Sequence, residues 1–197
     1  MDRLNELIRG IPRFTSLDLL DCSGGTLAVR SSEGIYVSSV QAAVELEWLL
    51  GVDDFVLFPG EGDASLARAG RRPSFENRLH RTVLQEIDGW NFTYHGHPTG
   101  LLAFSYAEQA IPISSTHARR LGLKTAGEIP VAEEQARGPE HHASRVVELL
   151  KESFGNSDVG AVLLAGDGPL VAAATLNKLI AATRLLEKIA LAQMHRL

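Results

Sequence analysis

Cysteine is almost absent from this chain, with one residue in 197, Cys22. A lone thiol closes no internal disulfide, so no cystine framework is expected, and a reducing compartment, the cytoplasm, is the expected location. Cys22 reads as a small buried filler rather than a nucleophile. No run of about 18 apolar residues occurs, which excludes an apolar helix of membrane-spanning length. The start, "MDRLNELIRG", holds no apolar stretch of signal-peptide length, so no secretory leader is expected. Excess positive charge is missing too: 19 Lys and Arg stand against 24 Asp and Glu, a formal net charge of −5. Nucleic-acid binding rests on neutralising phosphates, and no basic run invites it, so neither nucleic acid nor membrane is an expected partner. No internal repeat or low-complexity tract appears. What remains is ordinary globular composition, 45% hydrophobic and 22% charged, at a length that suggests one domain spanning 1–197.

The chain alternates strand-like and helix-like segments. Residues 25–31 and 34–39 read as a hairpin around a Gly-containing turn. Residues 40–50 have helical spacing up to Gly51, 53–58 read as a strand, and 59–72 as a Gly- and Arg-rich loop. A helix over 73–87 enters at Pro73 and Ser74 and carries apolar residues at Leu79, Val83, Leu84 and Ile87. A strand over 91–97, a short helix over 98–107 and mixed short elements over 108–138 follow. The last third reads helix (139–155), two β runs around Gly-Asp-Gly (159–174), then a long helix (175–195). Helices covering a mixed or antiparallel sheet is the architecture this order predicts, an α/β fold class.

Two histidines stand one residue apart in "TYHGHPTG" (93–100). Along a strand, side chains alternate, so His95 and His97 share a face. Their Cα atoms then lie about 6.6–6.8 Å apart, which lets both imidazoles converge on one metal ion. The competing reading is a pair of half-buried histidines hydrogen-bonded at a sheet end. Glu76 falls in the first turn of the 73–87 helix, where unpaired N–H groups favour an ionised carboxylate. A carboxylate beside a metal suits proton abstraction next to a carbonyl. His80, four residues on, shares that face and either orients Glu76 or packs in the core. His117, His141, His142 and His195 read as surface or packing residues.

Four segments, in order, make the chain similar to the class II aldolase/adducin N-terminal domain family. "GTLAVR" (25–30) stands where members carry Gly-Asn-x-Ser-x-Arg, and "PSFE" (73–76) where they carry Pro-Ser-Ser-Glu. "HGHP" (95–98) matches His-x-His-Pro, and "GDG" (166–168) stands in place of Asn-His-Gly before the closing helix. The resemblance covers about residue 22 to the C-terminus. It implies a three-layer α/β/α fold with a largely antiparallel central sheet. It also implies a homo-oligomer, a tetramer by preference, with active sites near subunit interfaces. By position it makes His95, His97 and Asp167 ligands of a divalent metal, zinc, with Glu76 the acid/base. It places a substrate phosphate against Gly25, Thr26, Ser74 and a loop holding Ser38 and Ser39.

The departures bear on function. Asp167 replaces the third histidine. Its carboxylate can bind zinc, but it is shorter and adds negative charge, and Asp-Gly is also a preferred hairpin turn. Phe75 replaces a serine, Thr26 an asparagine, and Val40 a loop glycine. Arg71 and Arg72 stand as an alternative source of positive charge. Two functions follow. One is a metal-dependent aldolase-like lyase or isomerase acting on a small hydroxy-carbonyl substrate through a metal-stabilised enediolate. The other is a non-catalytic, adducin-like oligomeric module with a degenerate metal site.

Overall fold

Two strands near the end of the chain are apolar without alternation: every residue of Val159–Leu164 and of Gly168–Ala173 is buried. A strand buried on both faces requires helices on both. The computed structural model describes residues 2–60, 65–67, 70–123, 127–133, 139–155 and 157–197. Parts of the expected 59–72 loop (61–64, 68–69) and of the mixed 108–138 stretch (124–126, 134–138) lie outside the described residues.

In chain order the elements are α1 (Asp2–Thr15), β1 (Thr26–Ser31), β2 (Gly34–Ser38), β3 (Phe55–Phe58), α2 (Asn77–Glu86), β4 (Phe92–His95) and α3 (Thr99–Tyr106). They continue with β5 (Ile111–Ile113), α4 (Ser115–Leu121), β6 (Gly127–Ile129), β7 (Val131–Ala132), α5 (Pro139–Phe154), β8 (Val159–Leu164), β9 (Gly168–Ala173) and α6 (Leu176–Gln193). The main sheet runs β3-β2-β1-β4-β9-β8-β7, and β5 and β6 form a small second sheet. All pairs in the main sheet are antiparallel except β7 with β8. The expected α/β class and largely antiparallel central sheet are present.

The alternation of β4 divides the two helical layers. Tyr94 stacks on Phe14 of α1, with ring centroids 5.5 Å apart. Thr93, on the other face, lies 2.7 Å from His80 of α2. Helices α2 and α5 pack together on the Thr93 face, and α1, α3 and α6 on the Tyr94 face. No helix among the described residues is long and apolar enough to cross a membrane.

The structure departs from the sequence reading in several places. Residues 2–15, read as no element, form α1, which buries Leu4, Leu7, Ile11 and Phe14 at helical spacing. Gly10 and Pro12 disguise it, since both disfavour helix interiors. Gly10 serves packing: a Cβ there would meet Leu176 Cδ2 of α6 at 2.5 Å. Residues 40–48 form irregular turns rather than a helix. Trp48 is buried, its indole N–H donates to the Asp21 carbonyl at 2.7 Å, and it takes a left-handed backbone that ends any helix. Cys22 is exposed rather than a core filler, because it sits in the turn bridging Asp21 and Gly24. On α6 the apolar positions Leu176, Leu179, Ile180, Leu186 and Ile189 are buried within this chain.

Because α1 fills the Tyr94 face, its apolar stripe contributes directly to stability. Leu7→Ala is expected to lower unfolding free energy by about 2–5 kcal/mol. Glu6→Ala, on the exposed side, is expected to stay within about 0.5 kcal/mol. Urea unfolding of the two variants checks this.

Candidate metal centre

Strand β4 lies between β1 and β9, and its last residue sets one end of the sheet. His95 pairs with Thr26 at the start of β1 and with Leu170 near the start of β9. That register brings the turn before β9, with Asp167, beside the histidines. The strand expected to reach residue 97 ends at His95, and His97 follows in the short link before Pro98. The two rings still converge, edge to face, with centroids 5.2 Å apart. His95 Nε2 lies 3.7 Å from one Asp167 oxygen and His97 Nε2 3.7 Å from the other. His95 is 1% exposed, whereas the Asp167 side chain is 54% exposed and faces the opening.

Hydrogen bonds at the far side of each ring assign the tautomers. His95 Nδ1 lies 3.1 Å from the Pro169 carbonyl, which only accepts, so Nδ1 carries the hydrogen. His97 Nδ1 lies 3.2 Å from Ser23 Oγ, whose own hydrogen goes to the Asp21 carboxylate. Ser23 therefore accepts from His97 Nδ1. In their neutral forms both rings turn an Nε2 lone pair toward the Asp167 carboxylate. Three electron-rich groups thus face one another, their ligand atoms all within 4.8 Å. A cation between them satisfies all three. The 3.7 Å separations sit near the roughly 3.4 Å expected between ligands about 2.0–2.1 Å from one tetrahedral ion. The residues fit a divalent metal.

The charges follow the same logic. The Asp167 carboxylate, 3.7 Å from Nε2, favours the protonated ring and raises the pKa of His97 above the usual imidazole value, outweighing burial. Burial lowers that of His95, with Asp167 only partly offsetting it. For Asp167, burial works against the charge, but His97 and the other nearby histidines hold its pKa below the usual range. Turn chemistry does not account for Asp167. The left-handed positions of this turn belong to Gly166 and Gly168, and Asp167 is not among the described residues with positive φ.

Glu76 caps α2 rather than lying in its first turn. Its Oε2 accepts from Thr26 Oγ1 at 2.8 Å and from the Ser74 hydroxyl. Burial opposes the Glu76 charge, but the Ser74 bond, His95 and the Thr26 bond hold its pKa below the usual carboxylate value. His80 is fully buried against Thr93, and burial pushes its pKa down to about 3. Gly25 lies against the backbone of the site: a Cβ there would meet the His95 carbonyl at 2.8 Å. Ser38 Oγ accepts the Leu27 N–H at 3.0 Å, and the buried Ser39 hydroxyl has no partner among the described residues. Arg71 pairs with Asp54 at 2.8 Å and so is held away from the histidines' ligand set.

Glu76 and Asp167 line one cavity of about 470 Å³, together with Phe75, Arg78, Tyr106 and His142. The sequence reading set His142 aside. The signal that finds it is position: it stands one helical turn before Val146 and two before Leu150, on the buried stripe of α5. Burial, as the main cause, lowers its pKa, and it feels the charge of Asp167.

The family described as Class II Aldolase and Adducin N-terminal domain matches residues 5–194. No curated protein sequence matches the chain. Among solved structures, an L-fuculose 1-phosphate aldolase aligns with a TM-score of 0.80 at 21% identity, over 99% of this chain and 86% of its own. L-fuculose-1-phosphate aldolase from Thermus thermophilus aligns at 0.74 and 22% identity, over 100% and 95% of the two chains. Sugar-phosphate aldolase from Thermotoga maritima aligns at 0.73 and 15% identity, over 98% and 94%. At these identities the likeness is one of fold.

Two predictions follow from this geometry. Zinc titration is expected to show weakened binding in both Asp167→Ala and Asp167→Asn, with no large gain in Asp167→His. A silent Asn variant and a strong His gain would contradict the ligand role of Asp167. The second concerns pH. In the metal-free protein the raised His97 pKa contributes stability that is full below the ordinary value of 6.5 and is lost as pH rises through the folded pKa. A metal ion must displace that proton. Zinc affinity is therefore expected to fall as pH drops toward 6, with proton release on binding measurable by calorimetry in two buffers.

Proposed function

The chain belongs to the class II aldolase and adducin N-terminal domain family, and from that membership and its site we propose a metal-dependent, aldolase-like lyase or isomerase acting on a small, sugar-derived hydroxy-carbonyl compound. The observation that carries this reading is the convergence of two imidazole Nε2 atoms on the Asp167 carboxylate, which lines the same cavity as Glu76. His95, His97 and Asp167 hold the ion, and a nitrogen- and carboxylate-rich set of this size suits zinc. Bound there, a divalent ion polarises the substrate's carbonyl oxygen and so acidifies the adjacent carbon.

Glu76 then receives the proton from that carbon. Its depressed pKa keeps it ionised near neutrality, and the Thr26 and Ser74 hydroxyls fix its carboxylate by donating to one oxygen. A weak base of this kind suits an already acidified carbon. Gly25, Thr26, Ser38, Ser39 and Ser74 are the proposed contacts of the substrate's far end; Thr26 and Ser74 bond Glu76, and all four hydroxyl residues are buried. Three of the hydroxyls there already hold protein groups, those of Thr26 and Ser74 the Glu76 carboxylate and that of Ser38 the Leu27 N–H, so an entering phosphate must compete with these bonds. That competition favours, as the second reading, the non-catalytic module with the ion in a structural role. Phe75, 88% exposed, and Tyr106 stand at the cavity mouth, which supports a homo-oligomer, a tetramer by preference, whose neighbouring subunit covers them.

Glu76→Gln separates the two readings. It is expected to bind zinc and fold as wild type does. Its solvent-deuterium exchange into hydroxy-ketones, tested with and without a phosphate, is expected to fall about 10²–10⁴-fold. An exchange rate equal to wild type removes Glu76 from the mechanism. A zinc-loaded wild type that exchanges no compound of the panel favours the non-catalytic module.

A further inference from the structure

Helix α3 joins the two halves of the proposed ligand set. It begins directly after His97 and Pro98, and its first amides are held by α6: Gly100 and Leu101 N–H donate to the Glu187 carboxylate at 2.8 and 3.0 Å. Near its other end, Ser105 is fully buried, and its hydroxyl bonds the turn that carries Asp167. Ser105 Oγ accepts the Asp167 N–H at 3.0 Å and the Gly168 N–H at 2.7 Å, and donates to the Leu164 carbonyl. The Ser105 carbonyl accepts the Gly166 N–H at 3.0 Å. The turn is also drawn in against the histidine segment. A Cβ on Gly168, whose φ is +103°, would lie 2.5 Å from the Gly96 carbonyl.

An aspartate reaches less far than a histidine, so it meets the two imidazoles only if its backbone comes closer. We infer that Ser105 is a positioning residue that clamps the 164–168 turn to the end of α3, close enough for the short Asp167 side chain to complete the metal set. The inference rests on the reading of Asp167 as a ligand. Ser105 touches neither metal nor substrate. It acts through the Asp167 amide, and α3, pinned by Glu187 at one end and by this clamp at the other, transmits a fixed spacing between His97 and Asp167.

The test is titration with cobalt(II) of purified, metal-free full-length protein, reading both affinity and the visible bands that report coordination geometry. Ser105→Ala is expected to weaken cobalt binding about 10–100-fold, the usual effect of losing an outer partner of a metal ligand, and to alter the bands. Ser105→Cys, which keeps a weak donor and acceptor, is expected to fall between it and wild type. With Asp167→Ala already present, adding Ser105→Ala is expected to change affinity less than about two-fold, the ordinary error of additivity. Thr183→Ala removes another buried hydroxyl, one bonded to Leu179 O in α6, and serves as control. It is expected to lose stability while keeping wild-type affinity and bands. Wild-type binding in Ser105→Ala, or the same weakening with and without the Asp167 carboxylate, overturns the clamp. If Ser105→Ala does not fold, wild-type affinity and bands in Ser105→Cys overturn it. Wild-type binding in Asp167→Ala overturns the ligand reading and the clamp together, whereas a weakened Asp167→Ala beside an unchanged Ser105→Ala overturns the clamp alone.

Discussion

The register of β4 between β1 and β9 is the constraint on which the rest depends. Its backbone bonds align His95 with Thr26 on one side and Leu170 on the other. A slip by one residue would exchange its faces. Tyr94, stacked on Phe14 and donating its hydroxyl to the Leu19 carbonyl, would turn toward α2. His95 and Thr93 would turn into the apolar layer of α1 and α6. The same pairing that fills the core therefore also delivers one imidazole to the sheet end where β1 and β9 begin.

The polar groups buried at that end are satisfied in pairs that leave charge in one place. His80 meets Thr93, His95 meets the Pro169 carbonyl, and Glu76 meets Thr26 and Ser74. Each pairing offsets part of the cost of taking a polar group out of water. Ser39 Oγ and His80 Nε2 stay buried without a partner among the described residues, and Asp167 faces the two imidazoles, with Glu76 on the same cavity. In the proposed site a dication balances the two carboxylates and leaves the centre neutral. A histidine in place of Asp167 would leave one more positive charge and a stronger Lewis acid. In the proposed site the aspartate would exchange electrophilic strength for charge balance, suiting substrates whose reacting carbon is already moderately acidic.

Approach distance is the second theme. An aspartate ligand demands a turn that lies near the histidine segment, and Gly168 against the Gly96 carbonyl permits it. Asp167 itself is in an ordinary backbone conformation, so the turn needs no left-handed residue at that position.

Local patterns in the chain determined a good deal. The His-x-His spacing pointed to the convergence of His95 and His97, although the strand ends at His95; the β8–β9 hairpin was legible from its Gly-Asp-Gly turn, and α2, α5 and α6 from their apolar spacing. The four ordered segments determined the family and its α/β fold. Tertiary structure alone decided the rest. Helix α1 was hidden because Gly10 is there for a contact with Leu176, 166 positions away in the chain. The 40–48 segment coils because Trp48 is fastened to Asp21. The tautomers depend on Ser23 and Pro169, and the proximity of His142 and Ser105 to Asp167 depends on how α5 and α3 meet the sheet. Side-chain periodicity is a property of neighbours along the chain, so it can be read from the sequence. Register, close approach and shared cavities arise between segments far apart in the chain, and only the folded backbone brings them together.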